Sequence, residues 1–180
     1  FRTVDGGSAA ELRLDAVRAT PEQLLGPAGQ AHAAIRAAER RATAALAAES
    51  VGLLAVMHEM TLDYSRQRRQ FGQAIGSFQA LQHRMVDMLI ELEQTRSLAW
   101  YAAASLDSPS EPTQQRAVSA AKARAGQAGR LMTQEAIQIH GGMGMTEELP
   151  LSRYVRRQLA IEQSLGDTAF HVRRFSRTEE

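Results

Sequence analysis

Three arginines stand before an aromatic residue at the end of a long helical pattern. Arg66, Arg68 and Arg69 come just ahead of Phe71 and Gly72. A guanidinium can bind an anion through paired hydrogen bonds, and the ring of Phe71 would offer a flat face beside it. Cations at a helix end also complement the helix dipole without any ligand. The pattern therefore favours either an anion-binding site or an ordinary helix terminus.

A glycine cluster is the second candidate site. Residues 141–144 read Gly-Gly-Met-Gly and directly follow His140. Because Gly has no side chain, the backbone there can come close to a phosphate or a flat ring. The cluster follows a helix instead of joining a strand to a helix, so it lacks the context of a dinucleotide fingerprint or P-loop. A ligand contact and a simple helix stop are equally good interpretations.

Composition excludes several other chemistries. The chain has no Cys, which rules out disulfides, a thiol nucleophile and Cys-ligated metals. Its five His residues share no metal-binding spacing, and Arg153, Arg156 and Arg157 are typical of a solvated helix face. A formal net charge of +1 gives no bulk attraction to nucleic acid or anionic membrane. Without a signal peptide or an apolar run of ~20 residues, we expect a cytoplasmic protein with no metal and no membrane span.

The elements that must position these residues are helices. The pattern predicts helices over residues 30–68, 77–106 and 111–140, a fourth that starts near Pro150, and a last stretch over 167–176. Ser77 is the expected cap of the second helix. Small residues on the third helix, Ala121, Ala125, Ala128 and Gly129, would let a neighbour approach closely.

The first residues differ from the rest. Residues 11–17 alternate polar and apolar side chains, which predicts a half-buried strand. A single strand is not stable alone, so it would belong to a sheet that is mostly absent from this chain. We therefore expect an all-α fold, an antiparallel four-helix bundle over residues 29–180, preceded by the end of a β-domain and a linker over 1–28. The missing initiator Met suggests a fragment or a processed product.

Five stretches together resemble the C-terminal helical domain of the acyl-CoA dehydrogenase family. They are residues 3–6 with 11–15, 47–52, 64–72 with 75–79, 136–144 and 150–157. The resemblance implies an FAD-dependent oxidoreductase that converts an acyl-CoA thioester to the 2,3-enoyl-CoA. A carboxylate removes the α-proton, flavin accepts the β-hydride, and electrons pass to electron-transfer flavoprotein. Family members are typically tetramers with FAD across a subunit interface.

The resemblance also assigns residues to the cofactor. It places Arg68 on the FAD pyrophosphate of a neighbouring subunit, which suits a guanidinium. It adds further cofactor contacts at Phe71 and Gln79. Backbone contacts with the dinucleotide are implied for Gln138, Gly141 and Gly142. The glycine cluster is thereby interpreted as a ligand contact.

The catalytic base departs from the family pattern. The position of the usual Glu, just before a Gly, is occupied here by Leu165. The alternative base of some members falls near Ala42, which is not acidic, and a frequent Arg of the family falls at Thr43. Glu39 lies about one helical turn earlier and is the only candidate we name. Asp167 is expected to be a helix N-cap.

Three interpretations follow from the missing base. The chain is one subunit of a heteromeric bacterial enzyme, as occurs for bulky steroid side-chain thioesters, or a homomer that uses Glu39. Alternatively it is a non-catalytic assembly subunit in fatty acid or steroid side-chain degradation. The acyl chain cannot be inferred from the sequence. The 180 residues alone are expected to be inactive, because the rest of the acyl-CoA and flavin site is missing.

Overall fold

The computed structural model describes residues 1–177, and nearly all of their regular structure is helical. The elements in chain order are α1 (Ala31–Gln67), β1 (Arg69–Gln70), β2 (Gln73–Ala74), α2 (Gln79–Ser105), α3 (Glu111–His140), α4 (Leu151–Gln163) and α5 (Thr168–Arg177). Short 3₁₀ turns cover Pro21–Gln23, Ile75–Ser77 and Gly141–Met145. The prediction of an all-α bundle is confirmed.

α3 is the central helix and packs against the other four. One end of the core is built from long side chains, including Leu54, Met57, Met88 and Met132. The other end is rich in Ala and includes Ala47, Ala102, Ala121 and Ala125. The predicted small-residue face of α3 is buried, so the neighbouring helices approach it closely, as expected.

α1 is the one helix within residues 1–177 whose length and hydropathy alone would suffice to cross a membrane. Its residues Ala47, Leu54 and Met57 are fully buried. The helix packs on α2, α3 and α4. A core helix of a bundle passes the same test of length and composition, so this feature does not indicate a membrane span.

α3 and α5 begin where the sequence predicts, whereas the predicted cap of α2 is wrong. The Ser110 hydroxyl accepts a hydrogen bond from the Thr113 amide at 3.3 Å, which caps α3. The Asp167 carboxylate accepts one from the Phe170 amide at 2.7 Å, so its predicted capping role is confirmed. Ser77 is not the cap of α2, because its hydroxyl donates to the Ala74 carbonyl at 2.6 Å and Phe78 takes the cap position.

The strand predicted over residues 11–17 is absent, and that prediction is wrong for this chain. Leu12, Leu14 and Val17 are 83%, 72% and 68% exposed. Within residues 1–30 the sole β-bridge joins Arg2 and Ser8. Alternating side chains form a strand only against a partner, and none of the described residues supplies one here.

Arg157 attaches this first segment to the bundle. Its Nε and Nη2 contact the two carboxylate oxygens of Glu49 on α1 at 2.6 and 2.8 Å. Its Nη1 contacts Asp5 Oδ2 at 2.7 Å. The hydroxyl of Thr3 and then the guanidinium of Arg157 hold the pKa of Asp5 at about 2. For this member of the arginine stripe, the interpretation as a solvated helix face is therefore wrong.

We expect Arg157→Leu to loosen residues 1–9 and to raise the pKa of both Asp5 and Glu49. The pKa of Asp5 lies below its ordinary value of 3.8, so the attachment is complete above that value and is lost as pH falls through about 2. Hydrogen exchange of residues 1–9 at pH 7 in the full-length protein should be faster in the variant. Arg156→Leu is the control, because Arg156 pairs with the exposed Glu147 and does not touch this segment. Equal exchange in both variants would refute the attachment.

Gly129 makes room for a buried amide. Gln158 on α4 accepts a hydrogen bond from Ser50 Oγ at 2.9 Å and donates one to the Ala125 carbonyl at 3.0 Å. A Cβ on Gly129 would lie 2.1 Å from Gln158 Nε2. The glycine therefore allows α4 to hydrogen-bond to both α1 and α3.

We expect Gly129→Ala to lower the free energy of unfolding by about 1–3 kcal/mol. The loss of buried hydrogen bonds outweighs the gain in helix propensity of about 1 kcal/mol. Urea unfolding measures the change. Gly52→Ala on α1 is the matched control, since nothing lies within 4 Å of its added Cβ, and it should not destabilise the protein. A neutral Gly129→Ala would show that Gln158 can move aside at no cost.

Candidate functional site

A groove of about 650 Å³ lies where the end of α1, the β1–β2 hairpin and the end of α3 meet. It brings together Arg68, Gly141 and Gly142, which the sequence analysis singles out from distant segments. The full lining consists of Tyr64, Arg68, Gln70, Ile75, Ile139, His140, Gly141, Gly142 and Met143.

The backbone of Arg68 is fixed while its side chain is exposed. Its amide donates to the Tyr64 carbonyl and its carbonyl accepts from the Ile75 amide, both at 2.8 Å. Arg66 pairs with Asp63 at 3.1 Å, and Arg69 donates to the Gly72 carbonyl at 3.2 Å. Of these three arginines, Arg68 is the one that lines the groove. Within residues 1–177 its guanidinium makes no ion pair and is exposed, so it is available to an anion.

The glycines after α3 play two different roles. Gly141 has a φ of +60° and ends the helix, in a conformation that favours Gly. Added Cβ atoms on Gly141 or Gly142 would meet no atom within 4 Å, so both positions face open space. A Cβ on Gly144 would instead lie 2.7 Å from the Ile137 carbonyl oxygen. Gly144 thus closes the turn, whereas the first two leave bare backbone on the groove.

A stacked ring pair forms one wall of the groove. The rings of Tyr64 and His140 are 4.4 Å apart at an interplanar angle of 30°. His140 Nδ1 lies 2.8 Å from the Ala136 carbonyl, and burial lowers the pKa of this ring, so it donates there as the neutral form at pH 7. The sequence analysis missed both as site residues. Their positions in the sequence could have identified them, because Tyr64 is one helical turn before Arg68 and His140 directly precedes Gly141.

The other predicted cofactor residues lie outside this groove. Phe71 is 92% exposed at the hairpin tip, with a φ of +52° and an edge-to-face contact to Phe78 at 6.1 Å. Gln79 is exposed at the start of α2, and Gln138 is exposed in the last turn of α3. Within this chain these three residues do not line the same groove as Arg68.

Leu165 lies in a left-handed turn between α4 and α5. Its φ is +54° and that of Gly166 is +99°. A left-handed conformation is unusual for Leu and costs about 1–2 kcal/mol. The Leu165 side chain is 44% exposed and carries no group that could accept a proton. The left-handed turn therefore forms in this chain without an acidic side chain at its centre.

Glu39 lies in a second, arginine-rich cleft of about 410 Å³. The lining consists of Arg36, Glu39, Gln115, Phe170, Arg173, Arg174 and Arg177. Burial lowers the pKa of Arg174, with smaller contributions from other arginines, which indicates a crowded cationic environment. Gln115 Oε1 is buried without a hydrogen-bond partner among the described residues. The cleft can receive an anion, and it adjoins the 164–167 turn through Phe170, which packs on Gly166.

The described part of the chain offers no metal site. Within residues 1–177, no group of three or more His, Asp or Glu side chains is placed to hold an ion. The side chains that line the two clefts carry guanidinium, carboxylate, amide and aromatic groups, beside exposed backbone.

Comparison with known proteins identifies the family of this chain. Residues 25–178 match the family model described as acyl-CoA dehydrogenase, C-terminal domain. The chain is 40% identical over 136 residues to acyl-CoA dehydrogenase IpdE2 of Mycolicibacterium smegmatis, covering 73% of this chain and 41% of that protein. It is 35% identical over 159 residues to 3-sulfinopropanoyl-CoA desulfinase of Paraburkholderia xenovorans, covering 85% and 39%.

A solved relative shares the architecture. A variant of the Tcur3481-Tcur3483 steroid ACAD aligns with a TM-score of 0.73 and 30% identity, over 76% of this chain and 37% of that one. The chain thus spans about two fifths of the length of the curated relatives it matches. It belongs to the acyl-CoA dehydrogenase family of FAD-dependent oxidoreductases and contains the C-terminal helical domain of that family.

Proposed function

We propose that the chain is part of an FAD-binding subunit of a cytoplasmic, heteromeric acyl-CoA dehydrogenase. The observation that carries the proposal is a combination. The groove around Arg68 offers an exposed guanidinium and bare backbone, which suit a dinucleotide. In contrast, Leu165 occupies the position where a carboxylate is expected for proton abstraction. A homologous partner subunit would then supply the base.

The groove residues fit FAD. The Arg68 guanidinium is exposed and can bind a pyrophosphate through two hydrogen bonds. The bare backbone at Gly141 and Gly142 gives a flat group room to lie against the end of α3. Phe71 and Gln79 follow Arg68 in the sequence, and Gln138 precedes Gly141. All three residues are exposed and would supply further contacts to the cofactor. When bound, FAD supplies the hydride acceptor of the reaction.

The charge of the arginine-rich cleft suits the binding of a phosphate-bearing substrate. Arg173, Arg174 and Arg177 lie on one side of α5, and Arg36 lines the same cleft from α1. Among the described residues that line this cleft, Glu39 carries the one carboxylate. The excess positive charge suits the phosphates of a CoA thioester. Because this cleft adjoins the turn that carries Leu165, a CoA bound there would lie next to the expected reaction centre.

Purification of the full-length gene product, alone and together with any adjacent homologous gene product, tests the proposal. We expect a flavin spectrum and acyl-CoA oxidation, with electron-transfer flavoprotein as acceptor, only for the co-purified pair. Flavin binding and turnover by the protein alone would point to a homomer, with Glu39 the first residue to replace. No flavin in either preparation would leave the alternative, a non-catalytic assembly subunit.

A second candidate reaction is desulfination of a sulfinate-bearing acyl-CoA. It is favoured by the 35% identity to the desulfinase together with Leu165. In this reaction the carbon–sulfur bond breaks with water as co-reactant, so that the carbon takes a proton and the sulfur takes an oxygen and leaves as sulfite. The balance needs no electron acceptor, and no α-proton is removed by a carboxylate. Sulfite release from 3-sulfinopropanoyl-CoA by the flavin-loaded protein, without reduction of an electron acceptor, would favour this reaction.

A further inference from the structure

The sequence contains one lysine among its 21 basic residues, and it is fully buried. Lys122 lies in the middle of α3 with 0% of its surface exposed. A buried ammonium is costly unless its protons are hydrogen-bonded. Lys122 is therefore held by specific partners, and these partners identify its role.

Both partners of Lys122 lie around the turn that carries Leu165. Its Nζ donates to the Gly166 carbonyl at 2.8 Å and to the Glu162 carbonyl at 3.3 Å. Glu162 is in the last turn of α4, where a cation complements the helix dipole. A lysine suits this position because its compact ammonium directs several donors at separate carbonyls. An arginine would present a planar fork instead.

The carbonyl of Leu165 is held by a second buried side chain. His171 Nε2 lies 3.0 Å from the Leu165 carbonyl, and Nδ1 lies 3.4 Å from Ser119 Oγ on α3. Since a carbonyl oxygen only accepts, the proton is on Nε2. Burial lowers the pKa of His171, which agrees with a neutral ring at pH 7. The two successive carbonyls of the left-handed turn are thus held by two buried donors.

The flanks of the turn are fixed as well. The carboxylate of Glu162 accepts from the Thr168 amide at 3.0 Å, and Asp167 caps α5. A Cβ on Gly126 would lie 2.0 Å from Glu162 Oε2, so α3 leaves space for this carboxylate. The backbone of the 164–167 turn is therefore determined by buried groups of α3, α4 and α5, and no contact of the Leu165 side chain is needed.

We propose that Lys122 and His171 are positioning residues that hold the 164–167 turn, and thereby direct the side chain at position 165 toward the site of the acyl group. The proposal rests on the proposed function in one respect, namely that position 165 borders the reacting acyl group. It explains why the left-handed turn remains with Leu at its centre.

The first test is hydrogen exchange of residues 164–171 in the full-length flavin-loaded protein, purified with its partner subunit if it needs one. We expect Lys122→Met to speed exchange in this segment at least tenfold, and His171→Phe to act in the same direction. Arg124→Met is the matched control, because Arg124 is a largely buried cation on the same helix that pairs with Glu91 at 2.8 Å. Unchanged exchange in Lys122→Met would overturn the proposal, whatever the reaction of the enzyme.

The second test separates positioning from stability. Flavin reduction by a saturating acyl-CoA is compared in Leu165→Glu and in the double variant with Lys122→Met. We expect at least a tenfold slower reduction in the double variant, with flavin content and the Kd for acyl-CoA within twofold, and partial recovery with Lys122→Arg. Equal rates would overturn the catalytic part of the proposal. If Leu165→Glu itself shows no reduction, the assigned location of position 165 fails, and hydrogen exchange still decides the role of Lys122.

Discussion

Replacing Leu165 with Glu is expected to raise the rate of flavin reduction by an acyl-CoA about 10²- to 10⁴-fold, the usual contribution of a positioned general base. The comparison is made in the full-length protein loaded with FAD, together with its partner subunit if flavin binding requires one, and the same preparation with Leu165 unchanged is the reference. The backbone does not have to be rebuilt, because Lys122 and His171 already hold the turn. Anaerobic stopped-flow absorbance of the flavin measures the rate.

Leu165→Gln is the matched control for this experiment. Gln has nearly the shape of Glu but cannot accept the proton, so its reduction rate should stay at the level of the unchanged protein. Similar rates for the Glu and Gln variants would mean that a residue elsewhere removes the proton. Glu39→Gln then becomes the decisive variant, because Glu39 is the acidic residue that lines the adjoining cleft.

The helices could be predicted because their information is local. The Ala-rich stretch without Pro predicts α1 over 30–68, and the helix covers Ala31–Gln67. Asp167 is recognised as a cap because its bond to Phe170 spans three residues. The prediction that Ser77 caps α2 was wrong, although it also concerned a contact three residues away. The Ser77 hydroxyl donates to the Ala74 carbonyl in the 3₁₀ turn instead. Competition between two nearby partners cannot be decided from residue types alone.

Three residues of the candidate groove were named from the sequence, and their contact with a cofactor stays a prediction. Arg68 and the Gly141–Gly142 pair lie about 70 residues apart in the sequence. The family resemblance assigns both to the cofactor, and the structure places both on one groove. The Tyr64–His140 stack depends on how α1 and α3 pack, so no local pattern reveals it. The same is true of Lys122, whose partners follow it by 40 and 44 residues. In the sequence, Lys122 is an ordinary basic residue of an Ala-rich helix. It is buried only because of how the helices pack.

The second large effect is expected from Arg68→Met, which should weaken FAD binding about 10- to 100-fold. Because this guanidinium is exposed to water, we expect its net contribution to equal that of one charged hydrogen bond, about 1.5–3 kcal/mol. Each 1.4 kcal/mol is a factor of about ten in Kd. The fold should not change, since the backbone of Arg68 makes the structural hydrogen bonds and its side chain is exposed. Flavin content after gel filtration and a Kd from fluorescence titration measure the loss, both in the full-length apoprotein together with its partner subunit if flavin binding requires one.

Two further variants make the result specific for the position and shape of the guanidinium. Arg66→Met removes a cation that lies two residues away and pairs with Asp63. If FAD were attracted only by overall charge, this variant would lose as much FAD affinity as Arg68→Met. If Arg68 binds the pyrophosphate directly, Arg66→Met should lose almost none. Arg68→Lys keeps the charge and loses the planar fork, so it should recover part of the affinity. If Arg66→Met weakens FAD as much as Arg68→Met, the end of α1 attracts the cofactor only through its charge. If neither variant does, the groove beside Gly141 binds something other than a dinucleotide, and the flavin must be sought elsewhere in the assembly.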